Sequence, residues 1–253
     1  MARPPRYSDM SYSFGPGPLS PAIKILIISN VVGFLLSLIV PAIVLRLAVV
    51  PASVFEQFTI WQTVTYMFLH GGLGHLLINM LSLWMFGTEL ERKWGTRFFT
   101  KYYFVTGIGA ALITLLWSIS ALPFAEELYY SAMIGASGAV YGILLAYALS
   151  FPHRPIYLYF VFPVPAKYFV MIVGAIAFFS SVGSGSGGVA HTAHLGGLVV
   201  GYLYLKGLGG RPLDELKYRY LRWRMNRARG KFGVYSGGKD DDSWKSDWKK
   251  HIH

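Results

Sequence analysis

The chain has 253 residues, of which 54% are hydrophobic and only 14% charged, and its mean hydropathy is +0.44. That is too apolar for an ordinary soluble domain, and the complete lack of cysteine excludes thiolate catalysis, disulfides and Cys-ligated metals. The formal charge is +11, yet 13 of the 23 Lys and Arg fall in residues 206–253, beyond the last apolar run, a pattern that points to anionic lipid and away from nucleic acid.

In chain order, residues 1–20 are rich in Pro, Gly, Ser and Tyr and have no apolar core, so they read as a disordered cytoplasmic leader and not as a cleavable signal peptide. A bilayer crossing takes about 20 mostly apolar residues. Six stretches meet that measure, at roughly 22–45, 72–90, 98–119, 132–151, 167–182 and 190–208. The fifth is the shortest, because Pro163 and Pro165 interrupt the apolar sequence before it. The expected fold is therefore all-α: a polytopic six-transmembrane-helix bundle over residues 21–208, followed by a basic tail over 209–253.

Positive charge in the connections sets the expected orientation. Arg92, Lys93, Arg97 and Lys101 lie between the second and third spans, and Arg154 and Lys167 between the fourth and fifth. The link between the third and fourth has Glu126 and Glu127 and no cation. Both chain ends are thus expected in the cytoplasm, with Arg46 the single contrary charge and a prokaryotic plasma membrane as the expected location. The first connection, 46–69, interleaves Phe55, Phe58, Trp61 and Tyr66 with polar residues; it reads either as a segment lying in the outer interface or as an ordinary structured loop. The glycine-rich link 183–188 reads as a lid or a slack linker. Residues 211–230 read as a basic amphipathic helix on the cytoplasmic surface.

Three stretches carry polar groups into this apolar chain. Spans two, four and six all descend from the outer face, and His75 with Asn79, Ser137 and His194 stand a few residues into each, at a common depth. Gly138 and Gly142, like Gly197 and Gly201, are four apart and give each helix a small-residue stripe for close packing, which would carry Ser137 toward His194. A serine hydroxyl becomes nucleophilic when a base accepts its proton, and histidine suits that role. Because Asp and Glu are absent from 128 through 213, the expected arrangement is a Ser–His dyad without a carboxylate. His75 and Asn79, at i and i+4 on one helix face, together with the Ser137 amide, are the expected donors to an oxyanion. A metal held by His70 with His75, or by His191 with His194, is the rival reading; no intramembrane carboxylate or HExxH pattern completes it, and no metal or cofactor is expected.

These residues resemble the rhomboid family of intramembrane serine proteases. Gly135-Ala136-Ser137-Gly138 with Tyr141 is similar to its serine motif, His75 through Asn79 to its HxxxN oxyanion motif, and Ala193-His194 with Gly197 and Gly201 to its AHxxGxxxG motif. The resemblance covers about residues 22–208. It implies a six-helix protease domain whose substrates are membrane proteins cut near the outer edge of a transmembrane segment. Where many members carry Trp-Arg in the first loop, Trp61 is followed by Gln62, a change that bears on loop anchoring and not on catalysis; Glu91 matches the glutamate at the cytoplasmic end of the second helix. The alternative function is a non-catalytic rhomboid-like adaptor that binds membrane-protein clients, with a small-solute transporter as a third reading.

Overall fold

A computed structural model describes residues 15–122, 124–158, 161–182, 188–208 and 221–223. Each of the six apolar stretches is helical over most of its length. Helix α1 spans Pro21–Ile39; three short helices, α2 (Ala42–Leu47), α3 (Pro51–Gln57) and α4 (Gln62–Thr65), follow, and a 3-10 turn covers Tyr66–Phe68. Helix α5 (Leu73–Ser82) runs without a break through a π turn at Leu83–Gly87 into α6 (Thr88–Trp94). Then come α7 (Thr96–Ser118), α8 (Ala125–Tyr130), α9 (Ser137–Ser150), strands β1 (Pro155–Leu158) and β2 (Phe162–Pro165), α10 (Ala166–Val182) and α11 (Gly188–Leu203), which ends in a second π turn at Tyr204–Leu208.

Two of these helices, α1 and α7, are long and apolar enough to cross a bilayer by themselves, while α9 and α10 are shorter apolar helices. To the expected all-α fold the structure adds one small element. Strands β1 and β2 form an antiparallel hairpin in the register Pro155↔Pro165, Ile156↔Val164, Tyr157↔Pro163 and Leu158↔Phe162. Its three prolines are compatible with a sheet of two strands, because each strand has a free edge that asks for no N–H donor.

Helix α9 is the centre of the molecule. Gly138, Ala139, Val140, Gly142, Ile143, Leu144, Ala146, Tyr147 and Ala148 are all buried, so the helix is covered on all but the one face that carries Ser137, Tyr141, Leu145 and Leu149. Around it, α7 buries Tyr102, Tyr103, Thr106, Ala110 and Thr114. The outer faces are the reverse of a soluble protein's: Ile25, Leu38 and Ile39 on α1, Leu116 on α7, and Met171 and Phe179 on α10 are exposed. Apolar surface on this scale is a face for lipid.

Glu91 ties three helices together. Its carboxylate accepts the Ser20 hydroxyl, the Ala22 amide at 2.9 Å, the Ile23 amide at 3.2 Å and the Thr96 hydroxyl at 2.7 Å. The first turn of α1 is therefore capped by a side chain from α6 and not by its own Ser20. Burial, the largest influence, works to raise the Glu91 pKa, but the four donors together outweigh it and hold the carboxyl below its ordinary range. Residues 15–20 also depart from the disordered leader expected of them. Gly17 accepts from the Trp84 indole at 3.1 Å, and the Arg92 guanidinium reaches the carbonyls of Pro16 and Pro18. The rest of that leader, 1–14, lies outside the described residues, as do 183–187 of the glycine-rich link and, apart from 221–223, the tail from 209 onward.

Candidate active site

Ser137 is the first residue of α9, placed there by a tight approach. Gly135 has φ +119°, in the left-handed region that favours glycine, and a Cβ on it would meet the His75 ring at 2.8 and 2.9 Å. Its amide donates to the Tyr66 carbonyl at 2.9 Å, and Met133 exchanges backbone hydrogen bonds with Val49 at 2.8 and 3.0 Å. The segment leading into Ser137 is thus pinned to the first connection. That connection is a structured loop of short helices. Gln62 anchors it: buried, with 2% of its surface exposed, it accepts the Val50 amide at 3.1 Å and donates to the Arg46 carbonyl at 3.4 Å, beside the Trp61 indole that donates to the same carbonyl at 3.1 Å.

Across from the serine, α11 brings in the imidazole. His194 Nε2 lies 2.9 Å from Ser137 Oγ, and the ring stacks on Tyr141 with centroids 4.1 Å apart and planes 5° from parallel. His194 Nδ1 is buried and has no hydrogen-bond partner among the described residues. If Nε2 accepts the serine proton, Nδ1 carries the ring's own proton, so ring orientation rests on stacking and packing and not on a carboxylate.

The glycines set the separation. A Cβ on Gly197 would overlap the Gly138 carbonyl, and one on Gly201 would lie 3.3 Å from the Gly142 Cα, so α11 rests directly on the backbone of α9. The stripe on α9 also faces a third helix that sequence reasoning left out. Cβ atoms on Gly138 and Gly142 would meet Ala110 and Thr106 of α7 at 2.7 Å each. Helix α7 fastens the same region by hydrogen bonds: the Tyr102 hydroxyl donates to the Gly142 carbonyl at 2.7 Å, and the Tyr66 hydroxyl to the Gly107 carbonyl at 2.6 Å. The repeated small or hydroxyl residue at Thr106, Ala110 and Thr114 was the available signal, four apart like the glycines it packs against.

His75 and Asn79 sit on α5 beside this pair, but in different states. The Gly71 amide donates to His75 Nδ1 at 3.4 Å, which leaves the neutral ring's proton on Nε2, the atom over Gly135. Asn79 is buried and spends one of its two N–H donors on the His75 carbonyl at 2.9 Å. His70 stands edge-on to His75 at 5.0 Å, and His191 edge-on to His194 at 5.7 Å. Among the described residues, no group of three or more metal-ligating side chains forms there.

A model of the Rhomboid domain matches residues 57–211, more than half of the chain. The chain belongs to the rhomboid family. Rhomboid relatives include the mitochondrial Rhomboid protein 1 of Saccharomyces cerevisiae, 36% identical over 139 residues, which is 54% of this chain and 38% of that protein. Rhomboid protease GluP of Bacillus subtilis is 30% identical over 62% of this chain and 28% of its own length; Rhomboid protease AarA of Providencia stuartii is 31% identical over 56% and 54%. The chain covers less than two thirds of the length of each of these rhomboids. Rhomboid membership makes this a membrane protein. The expected prokaryotic plasma membrane is not supported, since the relatives include mitochondrial proteins of yeast and of Arabidopsis thaliana.

Proposed function

We propose that the chain is an intramembrane serine endopeptidase that cuts transmembrane segments of membrane proteins near the outer bilayer face. The observation that carries this reading is the 2.9 Å contact between Ser137 Oγ and His194 Nε2. Ser137 Oγ attacks the substrate carbonyl carbon as its proton passes to His194 Nε2. The resulting imidazolium, stabilised over the Tyr141 ring face, then gives that proton to the leaving amine as the C–N bond breaks. Water, deprotonated by the same nitrogen, releases the acyl group from Ser137.

The oxyanion is held by the Ser137 amide, free at the first turn of α9, by His75 Nε2–H and by the remaining N–H of Asn79. Gly135 contributes nothing here, because its amide is already taken by Tyr66. The supporting residues Gly138, Gly142, Gly197 and Gly201 act through the close fit of α9 and α11.

Six crossings with both ends of the chain in the cytoplasm accommodate the cation-rich connections. In that arrangement the 14 residues of α9 reach about 21 Å, short of a hydrocarbon layer of about 30 Å, so Ser137 begins below the outer surface with room for water above it. The test is cleavage of a membrane-segment substrate by the purified protein beside Ser137→Ala, with fluorophosphonate labelling of both. Cleavage and labelling confined to the unmodified protein are expected; equal cleavage by the two overturns the proposal, and binding of the segment without labelling favours the adaptor.

A further inference from the structure

At the end of α9 opposite Ser137, an open cleft of about 480 Å³ is lined by Glu89, Arg92, Lys93, Phe151 and Arg154. Three cations face one carboxylate. Glu89 is paired with Arg154, while Arg92 gives two of its five N–H donors to the neutral carbonyls of Pro16 and Pro18, which leave its charge uncompensated among the described residues. Lys93 has no carboxylate partner among the described residues; its Nζ lies 4.8 Å from the centroid of the Phe151 ring, and the Arg154 guanidinium lies 4.7 Å from the same centroid. Two like charges therefore share one aromatic ring in a small volume that retains a net positive charge.

We propose that this cleft binds a phosphate group, and that its occupant is the headgroup of an anionic phospholipid in the leaflet opposite the catalytic end. A phosphate offers acceptors to Lys93 and Arg154 together and relieves their repulsion. The apolar ring beside them suits the glycerol carbons that follow the phosphate, and a lipid source fits a cleft at the end of a bundle whose outer helices carry exposed apolar side chains. Occupancy would join α6 to the turn between α9 and β1, which otherwise meet there through the Glu89–Arg154 pair.

The experiment uses the purified full chain, delipidated in a neutral detergent and titrated separately with phosphatidylglycerol, phosphatidylcholine and inorganic phosphate. Native mass spectrometry and the shift in thermal unfolding are the readouts. Phosphatidylglycerol is expected to be retained in preference to phosphatidylcholine. Lys93→Gln, a change at an exposed position, should weaken it about fivefold, the effect of one cation near an anionic leaflet, and Lys93→Arg should keep it. Equal retention of the two lipids, or unchanged phosphatidylglycerol binding by Lys93→Gln, overturns the site. Saturation by inorganic phosphate as tightly as by phosphatidylglycerol overturns the lipid as its occupant.

Discussion

Gly197→Ala tests whether the dyad distance is set by backbone contact between α9 and α11. The new methyl group would overlap the Gly138 carbonyl oxygen and lie 2.8 Å from its carbon, and both are main-chain atoms that cannot swing aside. Restoring an ordinary contact of about 3.5 Å to that oxygen, the nearer of the two atoms, requires α11 to retreat by about 1–1.5 Å. His194 rides on that helix, so its 2.9 Å approach to Ser137 would open beyond hydrogen-bond range. Misplacement by about 1 Å costs about 100-fold in rate. The overpacking itself costs about 1–3 kcal/mol of stability. The assay is kcat/KM on a membrane-segment substrate, with thermal unfolding followed on the same preparations. Gly74→Ala is the control, since a Cβ there meets nothing within 4 Å and a helix-interior alanine is favourable. Unchanged cleavage by Gly197→Ala at unchanged thermal stability would refute the reasoning.

Four further outcomes follow from the same geometry. Glu91→Gln loses charge-assisted bonds to Ser20, Ala22, Ile23 and Thr96 and should cost about 2–3 kcal/mol at neutral pH. Because the folded carboxyl titrates below its unfolded value, its contribution is complete above that value and is lost as pH falls through the folded one; unfolding curves of the two proteins should converge only in acid. Tyr141→Leu removes the ring stacked on His194, worth about 0.5–1.5 kcal/mol, and should lower kcat with little change in unfolding temperature. Tyr66→Phe removes the second donor to the Gly107 carbonyl, which keeps its own helical amide, and should destabilise by about 0.5–1.5 kcal/mol in denaturant unfolding. Ser137→Ala with His194→Ala should cleave no more slowly than either single variant, because the two act as one unit in single-turnover assays.

The contact between Ser137 and His194 was legible in the sequence because such residues are scarce there: a serine and a histidine in apolar runs, with no carboxylate from 128 through 213, leave few pairings. The glycine spacing foretold the approach of α9 and α11 for the same reason, since four-residue periodicity survives in any helix. What α7 contributes was hidden, because Tyr102 and Thr106 become a clamp on Gly142 only when two distant helices meet. The all-α expectation left out the hairpin in the fourth connection, where prolines that stop a helix are tolerated at the edges of two strands. Gln62 shows how composition misleads: an amide with one acceptor and two donors can fasten Val50 and Arg46 without any charge. The leader was misjudged at 15–20 because its partners, Trp84, Arg92 and Glu91, stand more than 65 residues away.

The pairing of Val49 with Met133 and of Tyr66 with Gly135 has a mechanical consequence. Two rungs of main chain fasten the first connection to the strap that leads into Ser137, so a load applied at Phe58 or Trp61, both exposed on that connection, is passed along peptide bonds toward the serine. Whatever leans on that connection therefore also shifts the hydroxyl at the start of α9.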